Sequence, residues 1–74
     1  MSNPNAEMCN LLLKVGCSVT IAEPNLKKAD KRLAEVLNLL GEKGVREVHT
    51  TTFKAHKKEV MLSNGNLIKV RWAQ

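Results

Sequence analysis

Asn64-Gly65, set between two alternating apolar runs, constrains this chain more than any other stretch. Both residues tolerate the positive φ that tight hairpin turns require, so the pair marks a β-hairpin over 58–72. Its register follows from what each loop length places opposite what. A two-residue loop pairs Ser63 with Asn66, sets Val60 against Lys69 and puts Lys58 directly across from Arg71, a like-charge pair. A three-residue loop, Asn64-Gly65-Asn66, pairs Leu62 with Ile68, Val60 with Val70 and Lys58 with Trp72, where a cation–π contact becomes available. The second register aligns the apolar partners and is preferred; it needs a left-handed last loop residue, which asparagine can supply. Val60, Leu62, Ile68, Val70 and Trp72 then face a core. Glu59, Met61, Leu67, Lys69 and Arg71 face away from it.

The same stretch collects the charge. Lys54, Lys57, Lys58, Lys69 and Arg71 against the single acid Glu59 hold +4 of the chain's formal +5. A basic ribbon favours anionic partners, nucleic acid being the commonest, because phosphate contacts need only positive groups that track a backbone. A second basic patch, Lys27, Lys28, Lys31 and Arg32, opens the long central helix, where the helix dipole disfavours it. Ion pairs along that helix, such as Lys31 with Glu35, are the plainer explanation of its charged face.

Upstream, Met1 to Asn5 reads as a leader into a first helix capped by Asn3, with Pro4 at the first helical position. Met8, Leu11, Leu12 and Val15 form one apolar stripe, and Gly16 suits the left-handed residue past the helix end. Cys17 to Ala22 alternates, with Val19 and Ile21 on one side, and reads as a half-buried strand that Glu23-Pro24-Asn25 stops. Asn25 then caps a helix over Leu26 to Leu40, whose Leu26, Ala29, Leu33, Val36, Leu37 and Leu40 keep helical spacing. Gly41 and Gly44 bracket its exit into a strand over 45–55. There Val48 and Phe53 fall on opposite faces unless a bulge intervenes.

The order is α-β-α-β-β-β in one domain, 1–74. It implies an α+β fold, a two-layer sandwich with two helices packed on one face of a small, mostly antiparallel sheet that ends in a β-hairpin. A parallel joining of the first strand to the second through the long helix would be right-handed. Seventy-four residues lie near the lower limit for one self-sufficient core. A homodimer that buries the outward Met61 and Leu67 is therefore a natural variant.

Catalytic patterns are absent: no Gly-rich phosphate loop, no H-E-x-x-H, no nucleophile elbow. Cys9, Cys17, His49 and His56 match no structural-zinc spacing, so neither metal nor cofactor is expected. No apolar run is long enough for a membrane span or a signal-peptide core, and a cytoplasmic setting follows by default. With Phe53 and Trp72 as its only Phe, Tyr or Trp residues, the chain lacks a stacking platform, which favours duplex or shape-based contact over single strands.

Two readings follow. In the first, a small non-enzymatic regulator contacts nucleic acid through Lys54, Lys57, Lys58, Lys69 and Arg71, with Lys27, Lys28, Lys31 and Arg32 in support. In the second, a small inhibitor or adaptor docks on a larger acidic protein, with Met61, Leu67 and Trp72 in the interface.

Overall fold

A computed structural model of the chain describes residues 3–73; Met1 and Ser2 of the expected leader lie outside them. The elements are α1 (Pro4–Leu12), β1 (Ser18–Glu23), α2 (Leu26–Glu42), β2 (Glu47–Phe53), β3 (Lys57–Leu62) and β4 (Leu67–Trp72). This is an α+β fold in the expected order, with a mixed four-stranded sheet.

The helix boundaries follow from local chemistry. Asn3 Oδ1 accepts from the Asn5 N–H at 2.9 Å and Asn25 Oδ1 from the Lys28 N–H at 2.9 Å, so both helices start at asparagine caps. At the end of α2 the Val45 N–H donates to the Leu40 carbonyl at 2.9 Å and the Gly44 N–H to that of Gly41 at 3.1 Å. With Gly44 at φ +84°, this is the Schellman arrangement, so Gly41 lies inside the helix and Gly44 alone ends it.

Helix α1 is shorter than its apolar stripe. It stops at Leu12, which leaves Val15 fully exposed and Leu11 45% exposed, while Cys9 and Leu12 are buried. The cause lies far along the chain. Asn66 Nδ2 donates to the Leu12 carbonyl at 2.7 Å and to the Lys14 carbonyl at 2.6 Å, and Asn64 Nδ2 donates to Leu12 at 2.8 Å. Those carbonyls are satisfied by side chains, and no further helical turn is needed. Leu26, at the other end of the expected α2 stripe, is likewise exposed.

The strand order is β1-β4-β3-β2. The parallel neighbour of β1 is β4, not the strand that follows α2, and the other two pairings are antiparallel. Burial explains the order. Ile68 and Val70 of β4 are fully buried and take a central place, whereas every residue of β2 is exposed and the strand goes to an edge. Both helices pack over β1, and α2 reaches β4. Leu12, Ile21, Val36, Leu40, Val60, Leu62, Ile68 and Val70 close the core between the layers.

The hairpin loop has three residues, but they are Ser63-Asn64-Gly65. The Leu62 N–H donates to the Asn66 carbonyl at 2.9 Å, and the left-handed residue is Gly65 at φ +88°, not Asn66. Val60 therefore faces Ile68, Lys58 faces Val70, and Lys57 faces Arg71. The expected register, with Lys58 opposite Trp72, is two residues out on β4 at every pair. Asn66 sets the true one. Its side chain is 2% exposed and donates to two carbonyls while its Oδ1 accepts from the Cys17 N–H at 3.1 Å, a geometry available only if it enters the core. The alternation along each strand is unchanged, so the expected inward and outward sets stand.

The parity break in the 45–55 stretch is resolved by a register shift between Glu47 and His49, and the strand ends at Phe53. Its last expected residue, Ala55, belongs to a tight turn instead. Ala55 and His56 both have positive φ, +68° and +60°. A side chain in that region costs about 1 kcal/mol or more relative to glycine. Ala55→Gly is expected to raise stability by about 1 kcal/mol in a denaturant melt.

Candidate functional site

One face of the sheet carries the helices; the other is open. The register arranges the open face in three rows across β1, β4, β3 and β2: Ser18, Leu67, Met61, His49; then Thr20, Lys69, Glu59, Thr51; then Ala22, Arg71, Lys57, Phe53. Neighbours in a row sit about 5 Å apart. The first row is the most apolar, with Met61 44% exposed and Leu67 half-buried. The second balances itself, since Lys69 lies directly opposite Glu59.

The third row does not. Lys57 and Arg71 are direct cross-strand partners, both exposed, with no acid in their row. Like charges in that position are destabilising. The sequence register avoided such a pair at Lys58 and Arg71; the structure makes it at Lys57 instead. Lys54 stands beside them on the turn, and Phe53, Lys54, Lys57, Lys58, Lys69 and Arg71 line one shallow concavity together with the acid Glu59.

Lys58 is separate. It lies on the helix side, and its Nζ sits 2.6 Å from Asp30 Oδ1 on α2, with the two side chains 17% and 52% exposed. With the acid half in solvent, the pair contributes at most about 1 kcal/mol. Lys58→Met is expected to cost no more than that in thermal denaturation, and to leave anion binding at the open face unchanged.

Lys27, Lys28 and Lys31 are exposed on α2, which begins at the end of β1 nearest the third row, so both basic patches share one end of the molecule. Arg32 is half-buried. Its Nε donates to Asn5 Oδ1 at 3.2 Å, it lies 3.9 Å from Glu23, and Asn5 in turn donates to Glu35 Oε2 at 2.6 Å. Glu35 is thus engaged by Asn5 of α1, where the sequence suggested Lys31.

The aromatic contacts also differ from expectation. Trp72 is stacked by His56, with ring centroids 6.1 Å apart and 18° between planes, rather than covered by Lys58. Lys57 Nζ lies 5.1 Å from the centroid of the Phe53 ring. Thr20, Phe53 and His56 are the neighbours of the basic cluster that sequence reasoning missed. Phe53 could have been placed had the turn at 54–56 been visible, but that turn contains no Gly, Pro, Asn or Asp.

Among the described residues, no group of three His, Cys, Asp or Glu side chains is placed to hold a metal ion, and both cysteines are free thiols. No described helix is long and apolar enough to cross a membrane. Comparison with known protein families, curated proteins and solved structures finds no match to the chain.

Proposed function

We propose that this chain is a small, non-enzymatic nucleic-acid-binding or nucleic-acid-associated regulatory protein that grips a phosphate backbone with the basic end of its open sheet face. Lys57 and Arg71 are the primary contacts, with Lys54 and Lys69 beside them. The observation that carries this reading is the uncompensated Lys57–Arg71 pair: the fold accepts a repulsion that a bound phosphate would turn into attraction. Lys27, Lys28 and Lys31 extend the positive surface around the same end. Lys57 lies over the Phe53 ring and His56 stacks on Trp72, so two rings already engaged make a poor platform for successive bases. That favours duplex or shape-directed contact over single strands.

A salt titration on random-sequence duplex tests this. With Lys69 balanced by Glu59, Lys54, Lys57 and Arg71 neutralising one phosphate each imply a slope of log affinity against log salt of about −3, from roughly −0.9 per contact. A flat profile, or no binding at low salt, overturns the reading.

A second reading, docking on an acidic protein as an inhibitor or adaptor, is favoured by the Leu67–Met61 row, which continues the basic rows with apolar surface. Interfaces are built of just such an apolar centre and polar rim, whereas a phosphate backbone has no use for Met61. Met61→Lys separates the two: it leaves duplex binding intact or strengthens it, and weakens docking on a protein.

A further inference from the structure

Strand β2 has one unpaired side, and all seven of its residues are exposed. Edges of that length are ordinarily blunted by charge, proline or a covering element. Between 48 and 53 there is neither charge nor proline, and Val48 and Phe53 are 57% and 40% exposed. The register shift before His49 is the one blunting device present, and it leaves His49–Phe53 as a regular, pairable stretch.

We propose that this edge pairs antiparallel with β2 of a second copy, about a two-fold axis through Thr51. Thr51 is the midpoint of the regular stretch, so the axis pairs that whole segment with itself. Thr51 faces Thr51, Thr50 faces Thr52, and His49 faces Phe53 of the second copy, an aromatic pair at each end with no like charges opposed. Charge complementarity singles out a second copy over a foreign strand. Glu47 lies just beyond one end of the segment and Lys54 just beyond the other, so each copy's Glu47 approaches the other's Lys54. Both are exposed, and the Glu47 carboxylate accepts from the Thr50 hydroxyl of its own strand.

The product is one eight-stranded sheet with all helices on one face and an uninterrupted open face. Two Lys57–Arg71 pairs lie on that face, with the two β4 strands about 24 Å apart at five strand spacings. A ladder this short falls at the small end of protein interfaces, so the dimer is a weak one.

Sedimentation from micromolar to near-millimolar protein tests the pairing. The natural chain should pass from monomer to dimer, and Thr51→Lys, which sets two ammonium groups across the axis, should raise the dissociation constant at least tenfold with its melting curve intact. In a Cys17→Ala background, oxidation of Thr51→Cys should give a covalent dimer, because directly opposed residues lie about 4.5–5.5 Å apart, within disulfide range. Thr50→Cys, which faces Thr52, should not. A natural chain that stays monomeric throughout, a Thr51→Lys dimer of undiminished affinity, or equal cross-linking of the two cysteine variants would each overturn the proposal.

Discussion

Asn66→Leu should lower the stability of the domain by about 3 kcal/mol, the largest loss expected from any single polar substitution here. Asn66 is 2% exposed and makes three hydrogen bonds that join the hairpin to the end of α1 and the start of β1. Removing the amide strips the part-buried Lys14 carbonyl and Cys17 N–H of their partners, and each group left unsatisfied costs up to about 1–3 kcal/mol. Leu12 keeps the Asn64 amide. For a domain of this size, 3 kcal/mol displaces the melting midpoint by more than about 10 °C. Asn66→Asp should be at least as damaging, since it turns the donor that faces two carbonyls into an acceptor. A shift of only a few degrees in either variant would mean that water or relaxation replaces the clamp.

The double charge reversal Lys57→Glu with Arg71→Glu should weaken duplex binding at least about 100-fold at low salt, because each charge-assisted hydrogen bond to phosphate is worth about 1.5–3 kcal/mol and two are removed. Its effect on stability should be slight. Both residues are exposed on the open face, and like charges face each other before and after the change, so the cross-strand term is nearly constant. Binding and folding are thereby decoupled, and a large loss of affinity in a chain with an unchanged melt points to the binding surface itself. An affinity within a few-fold of the natural chain would relocate binding to Lys27, Lys28 and Lys31.

The elements were legible because their signals are local: the asparagine caps at Asn3 and Asn25, the leucine spacing of α2 and the alternation of β3 and β4. What the sequence hid depends on interactions between distant residues. The hairpin register is fixed by Asn66 reaching the carbonyls of Leu12 and Lys14, more than fifty positions away. Pairing rules applied to the hairpin alone favoured separating like charges, and that preference gave way to burial of one asparagine. The sheet order depends on which strand is most apolar, so the exposed β2 moved to the edge although it directly follows α2. The turn at Ala55-His56 was unreadable because its residues are poor formers of the conformation they hold.

For the candidate site, inward and outward alternation was readable, so Lys69 and Arg71 were placed on the open face and Met61 and Leu67 beside them. Charge alone groups Lys58 with them, and strand parity sends its ammonium to Asp30. The direct opposition of Lys57 and Arg71, on which the proposed function rests, needed the true register to be seen.

Arg71→Glu alone tests that opposition most directly, with melting midpoint and duplex affinity measured on the same preparation. The substitution replaces a repulsive cross-strand pair by an attractive one, so stability should rise by about 0.2–1 kcal/mol. Affinity for random duplex at low salt should fall at least about tenfold, the equivalent of one phosphate interaction worth 1.4 kcal/mol. A rise in stability with unchanged affinity would contradict a phosphate-binding role for this end of the sheet.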